Sequence, residues 1–347
     1  MTISIYEPRT MAAALDKMMP ARAFLRRKFF GGTPETSATE KVDVDIRIGG
    51  RSVAPFVNPR SAGKAVDRPG FETRTYTAPL LAPMRVITTD DLQTRLPGEH
   101  AYAGTDPNDR LAKLLGRDLA DLDEMISRAE ELMARNALVN SSIRVKGDDV
   151  DYTITFPRDA SLAVGLLAAA QRWSATTADI YGQIIDWNIL IEKLTGVAAD
   201  TLVLSAEAAK ALVGNAENRA KLNTLNMQMG RIAPEAPIEG ASYLGEFAGT
   251  GVSIYAYSEW YRDPDTGILT PMIPAKTILL GSSKAYTAMR YGAVSVVDGE
   301  TIGLVPAPRV PESWVERNPA GRFVRLSSRP LPVPVDNNCF LTAQVLQ

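Results

Sequence analysis

The chain has 347 residues, 45% of them apolar and 22% charged, with a formal net charge of −2. That balance suits a globular protein with a sizeable core; it excludes disorder over the whole length and any global attraction to nucleic acid or an acidic membrane. One cysteine (Cys339) and one histidine (His100) exclude an internal disulfide and thiolate metal clusters, and leave acid–base chemistry to carboxylates and lysines.

Residues 1–38 read as an arm. "PRTMAAALDKMM" predicts a short helix that stops before Pro20. "FLRRKFFGG", Phe24 to Gly32, sets three phenylalanines around Arg26, Arg27 and Lys28. Up to Phe30 there are six cations and two anions, a net of +4. Residues 39–100 read as extended. In "TEKVDVDIRIGG", Val42, Val44, Ile46 and Ile48 alternate with charges, which predicts a strand, and "FETRTYTAP" alternates again and can pair back on it. The proline- and glycine-rich stretch between them is too poor in apolar residues to build its own core. From Arg47 to Arg85 there are seven cations and two anions, a net of +5.

Residues 105–138 carry the clearest pattern. Thr105-Asp106-Pro107 predicts a helix start. Leu111, Leu114, Leu115, Leu119, Leu122, Met125, Ile126, Leu132 and Met133 form one stripe on a helix of about 30 residues, roughly 45 Å long. With eight anions against five cations, its outer face is expected to be acidic. "SIRVKGDDVDYTITFP" predicts a hairpin turning at Lys146–Asp149. A capped helix is expected from Trp173 to Gly196. "DTLVLS" is a strand and "AEAAKALV" a helix, and "GVSIYAYSEWY" and "TPMIPAKTILLG" are strands around the turn Asp263–Gly267. The tail is strand-like and broken by prolines. The class is α+β, with a compact region near 197–300.

Chemistry is scarce. No P-loop, no G-x-G-x-x-G after a strand and no nucleophile elbow occur. "DPDTG" lacks the glycine position and closing glutamate of a calcium loop and reads as a turn. Asp90-Asp91, Asp121/Asp123/Glu124 and Glu130-Glu131 read as solvated faces, and Cys339 as a small buried hydrophobe. No cofactor or metal is expected. The most apolar run, "SLAVGLLAAAQRW", is too short to span a bilayer. A soluble, cytoplasmically made protein without a membrane partner is expected.

What remains is shape. The basic arm and loop would bury Phe24, Phe29, Phe30, Phe56 and Phe71 on neighbouring copies, with Arg26, Arg27, Arg68 and Arg74 completing the inter-subunit contacts and cations lying beside another subunit's acidic helix. Each buried aromatic would contribute about 1.5–3 kcal/mol and each exposed ion pair at most roughly 1 kcal/mol. Apolar contact would dominate and charge would choose orientation. A single copy should then expose clearly more than the roughly 14,000 Å² of a compact monomer of this mass.

In this order the motifs resemble the lambda-type major capsid protein family, the E-protein group of tailed phages, which has the Hong Kong 97-type fold. They are "FLRRKFF" followed by "TEKV", "FETRTYTAP" closing a Pro/Gly-rich loop, the long helix and hairpin, Trp173-Ser174, "GVSIYAY", "TILLG", "RYGAV" and "SWVERNPAGRFVRLSSRPLPVPVDNN". Residues 205–245 match least.

The resemblance implies an N-terminal arm (1–38), an extended loop reaching over an adjacent subunit (39–103), and a peripheral domain with a spine helix (104–196, rejoined by 301–347). It also implies an axial domain (197–300). It implies self-assembly as hexamers and pentamers into an icosahedral shell, built with scaffold and portal proteins in the host bacterial cytoplasm. The shell would enclose double-stranded DNA held by non-specific contact. A decoration protein is a further implied partner, rather than a crosslink through Lys64. The alternatives are a shell protein of a bacterial cargo compartment and an enzyme with a carboxylate site in 197–300.

Overall fold

The computed structural model describes residues 7–15, 22–48, 53–59, 63–66, 68, 70–93, 107–147, 150–175, 177–215, 222–223, 240–247, 249–263, 266–298, 301–318 and 320–347. His100, Thr105 and Asp106 lie outside them. The chain opens with α1 (Pro8–Leu15), α2 (Phe24–Phe30), β1 (Glu35–Thr36) and the hairpin of β2 (Lys41–Ile48) with β3 (Gly70–Thr77). Then follow β4 (Met84–Ile87), α3 (Thr89–Gln93) and α4 (Pro107–Asn140), whose 34 residues rise about 50 Å. β5 (Ser142–Gly147) and β6 (Val150–Thr155) form the expected hairpin, and β7 (Ala163–Leu166) leads toward α5 (Ile180–Thr195).

α5 begins seven residues later than the sequence suggested. Asp179, not a residue near Trp173, caps it by accepting from the Gly182 N–H. Trp173 instead buries its ring and donates to Gln183 Oε1 at 3.0 Å. The helix stops at Gly196, whose φ of 81° is the left-handed conformation that glycine adopts most readily.

The central layer is a seven-stranded sheet. Its members are β7, β8 (Thr201–Leu204), β9 (Leu222–Asn223), β10 (Ala241–Phe247), β11 (Ser253–Tyr257), β14 (Thr277–Gly281) and β21 (Phe340–Gln344), in the order β7-β21-β14-β8-β11-β10-β9. β8 is followed by α6 (Ala206–Gly214), capped by the Ser205 side chain. The strands flanking the Asp263–Gly267 turn proved to be β12 (Trp260–Arg262) and β13 (Leu269–Pro271), while β11 and β14 sit on either side of β8. The sheet takes β7 and β21 from outside 197–300, so it does not respect those expected boundaries.

Both faces of this sheet are covered, which explains why "TLVL" is apolar without alternation. Leu202 and Leu204 pack with α5 and α6, whereas Val203 and Leu279 pack with α2 and the end of α4. The first half of the α4 stripe packs on Met11, Ile87, Val324 and Leu326. Further along, Met133 and Ala137 meet Val42, Val44, Phe156 and Val333.

Smaller sheets complete the subunit. β1 and β20 (Pro330–Pro334) flank β15 (Thr287–Tyr291), and β19 (Ala320–Ser327) lies between β4 and β18 (Val310–Arg317). Among the described residues, β16 (Val294–Asp298) and β17 (Thr301–Val305) pair with each other alone. The chain exposes 20577 Å², well above the roughly 14,000 Å² of a compact monomer. Among the described residues, no helix is long and apolar enough to cross a membrane.

Candidate functional site

The arm does not wait for a neighbour. Phe24, Leu25, Phe29 and Phe30 are at most 5% exposed within their own chain. Four apolar residues among three cations make one face of α2 apolar, and that face settles between the large sheet and α4. The Phe24 ring lies 5.2 Å from Tyr255 and 5.4 Å from Tyr257, and Phe29 meets Phe340 edge-on at 5.4 Å. Glycine at 281 makes this approach possible. A Cβ there would lie 2.5 Å from the Phe340 ring and 3.2 Å from Phe29.

Two buried carboxylates on α4 fix the arm. Glu131 accepts from the backbone N–H of Leu25 at 2.7 Å, from that of Arg26 at 2.9 Å, and from the Tyr257 hydroxyl at 2.8 Å. Glu130 accepts from Arg26 at 2.6 Å, from both terminal nitrogens of Arg309 at 2.6 and 3.1 Å, and from the Tyr291 hydroxyl at 3.1 Å. Arg309 also donates to Asp123 at 2.6 Å. Burial pushes the Glu131 carboxyl up, against the pull of its three donors. Burial likewise works against the Arg309 charge, but Glu130 and Asp123 outweigh it and raise its pKa.

Two expectations are therefore corrected. Phe24, Arg26, Phe29 and Phe30 face their own subunit, because the apolar and carboxylate partners they need lie on the same chain. Nor is the outer face of α4 acidic among the described residues. Asp118, Glu130 and Glu131 are buried, Asp123 is held by Arg309, and Asp118 and Asp121 hold Arg85 at 2.7 and 2.8 Å. Asp121 and Glu124 remain exposed beside Lys113, Arg117 and Arg128. The signal was present in the sequence: Glu130 falls four residues after Ile126 and three before Met133, on the apolar stripe itself.

The loop behaves differently. β2 and β3 pair from Lys41↔Thr77 to Ile48↔Gly70, as the alternation predicted. Val42 and Val44 press into the core, while Asp43 and Asp45 accept from Thr75 at 2.5 Å and Thr73 at 2.6 Å on the outer side. Beyond this anchored base the described residues lie in the open. Phe56 is 101% exposed and Phe71 71%, and Arg68 is also exposed. Arg74 donates to Glu72 at 2.8 Å within its own hairpin. Arg27 stays on the exposed side of α2, and Lys28 lies 5.1 Å above the Tyr255 ring.

The buried charges of this arrangement are used up in holding segments together, and its apolar surplus points outward. Residues 7–345 match the phage major capsid protein E family. The chain belongs to that family. It is 24% identical over 347 residues to the major capsid protein of Enterobacteria phage phi80, spanning 99% of this chain and 100% of that one. It is 23% identical over 348 residues to that of Escherichia phage lambda, with the same coverage.

Among solved structures, this capsid subunit is similar to a prophage protein of E. coli CFT073 described as a capsid protein. The TM-score is 0.73 at 19% identity, covering 97% of this chain and 98% of the other. The capsid of Ralstonia phage GP4 gives a TM-score of 0.51 at 13% identity, covering 94% and 88%. These likenesses show the fold, and the expected α+β architecture of Hong Kong 97 type holds. The capsid subunit is a structural component of the virion of a lambda-like tailed phage, which sets aside the cargo-compartment reading.

Proposed function

We propose that this capsid subunit assembles as hexamers and pentamers into an icosahedral shell, with the β2–β3 loop reaching over an adjacent copy. The observation that carries this reading is the contrast within one hairpin. Its base is anchored in the core through Val42 and Val44, while Phe56 and Phe71 beyond the base stand exposed. An aromatic anchor on a rigid base is a common form for an interface hot spot. Phe56, Arg68 and Phe71 are the contact residues retained in this reading. α4 serves as the spine of the peripheral region, and 197–300, joined by β7 and β21, serves as the axial region around five- and six-fold centres.

Assembly takes place in the host bacterial cytoplasm around scaffold and portal proteins, and a decoration protein is a further partner. The shell holds double-stranded DNA by sequence-independent electrostatic contact. The subunit has no catalytic role and no membrane partner.

Replacing residues 49–69 by a two-residue Asn-Gly turn between Ile48 and Gly70 tests the loop. The subunit is expected to fold, because the strand register and its buried face are kept, and to form no closed shells by electron microscopy. Shells of normal size and yield would overturn the reading.

A further inference from the structure

Several two-stranded ribbons leave the body of the subunit, and most have a covered side. β2–β3 sets Val42 and Val44 into the core, and β5–β6 does the same with Ile143 and Ile154. β12–β13 lays Tyr261 against the cluster around α2. β16–β17 differs. None of the described residues of this ribbon belongs to any of the four apolar clusters.

Its register places Val294 opposite Val305 and Val296 opposite Gly303 on one face, and Ser295 opposite Leu304 on the other, which Val297 shares. Both faces are thus apolar. Among the described residues Val294 is buried and Val296 half-buried, whereas on the other face Val297 is 64% and Leu304 52% exposed, and Val305 at the edge is exposed too. A free two-stranded hairpin is marginal in water, and strands apolar on both faces normally have both faces covered. This ribbon is unfinished within its own chain.

Charge indicates what finishes it. Residues 294–305 contain Asp298 and Glu300 and no lysine or arginine. The segment 49–69 contains Arg51, Arg60, Lys64 and Arg68 against Asp67 alone, a net of +3. It also exposes Val53, Phe56 and Val66. It carries the opposite charge and an apolar surplus of its own.

We infer that β16–β17 is a docking ribbon, covered in the assembled shell by the 49–69 loop of a second copy. The inference rests on the reading that this loop reaches a neighbour. Apolar side chains of the loop would cover Val297 and Leu304, and its cations would meet the acidic residues Asp298 and Glu300. Twelve residues present far less than the roughly 800 Å² per partner of a stable isolated pair. The contact therefore holds only where a shell makes many of them together.

The test uses full-length subunits carrying Val297→Cys mixed with subunits carrying Phe56→Cys, assembled together and then oxidised. Both positions are exposed and Cys339 is buried, so folding and background thiol chemistry are spared. Mixed shells should yield disulfide dimers roughly tenfold above shells of either variant alone, as high local concentration demands. Well-formed mixed shells without that excess would overturn the docking.

Maleimide labelling of Phe56→Cys, in shells and in free subunits, separates the two readings. Protection in shells without mixed dimers sinks only the ribbon's role. Equal labelling in both forms sinks the loop reading as well. As a second variant, Asp298→Lys with Glu300→Lys should suppress shell formation, and adding Lys64→Glu with Arg68→Glu should restore it. Failure of both effects would count against the charge pairing.

Discussion

The Glu131 carboxylate accepts the backbone N–H of Leu25 at 2.7 Å, across 106 residues of sequence. This bond ties the first turn of α2 to the C-terminal third of α4. It makes the N-terminal segment part of the subunit's core rather than an appendage. Glu131→Ala would leave two N–H groups and the Tyr257 hydroxyl without their acceptor. It is expected to lower stability by roughly 2–5 kcal/mol, read from urea unfolding of unassembled subunits.

The same carboxyl gives a pH signature. Burial raises its pKa above that of the unfolded chain. Its titration therefore favours the native state most below the unfolded carboxylate value, and this contribution is lost as pH rises through the folded value. Glu131→Gln cannot ionise. The stability difference between wild type and this variant should shift against wild type on going from about pH 4 toward neutrality. A difference that does not change with pH would show that the carboxyl is not raised.

Deleting residues 1–32 should prevent folding instead of merely blocking assembly. The deletion removes Met11, Phe24, Leu25, Phe29 and Phe30 from two apolar clusters. At about 1.5–3 kcal/mol per buried side chain, the loss rivals the whole stability of a typical domain, roughly 5–15 kcal/mol. Recovery of a soluble truncated subunit with a cooperative melt would contradict this.

Leu119 is 1% exposed, in the half of α4 that packs on Met11, Val324 and Leu326. Leu119→Asp sets a carboxylate there with no partner and should destabilise by several kcal/mol, of the order of 3–5. Circular dichroism melts of the two proteins would decide; coincident curves would mean that the stripe is not buried.

Arg158 closes the far end of α4. Its guanidinium donates to the carbonyls of Leu138 and Val139, both at 2.8 Å, and burial pushes its pKa down to about 10. Arg158→Ala should cost about 1.5–3 kcal/mol. Arg158→Lys should recover little of it, because a single ammonium cannot reproduce the fork. Full rescue by lysine in a denaturant titration would argue against a bidentate cap.

Burial pushes the Cys339 thiol up to about 12. In folded subunits and in shells it should react with a disulfide reagent at least about a hundredfold more slowly than in urea. Fast native labelling would show that the turn Asn337–Cys339 before β21 opens.

Local pattern settled much of this protein. The three- and four-residue steps of the stripe made α4 legible, strict alternation made β2 pair with β3, and Gly196 marked the end of α5. These features follow from side-chain direction along a helix or strand, so neighbours in sequence decide them. The exposed positions of Phe56 and Phe71 were foreseeable for the same reason, since nothing near them in sequence could bury them.

Only tertiary structure decided the destination of α2, the burial of Glu130 and Glu131, the entry of β7 and β21 into the large sheet, and the bare Val297–Leu304 face of β16–β17. A buried carboxylate and a solvated one look alike in sequence. What separates them is a partner far along the chain, such as Arg26 or Arg309, whose approach depends on the packing of whole elements. A short periodicity cannot encode that distance, and the folded chain alone shows which charges were meant for the interior.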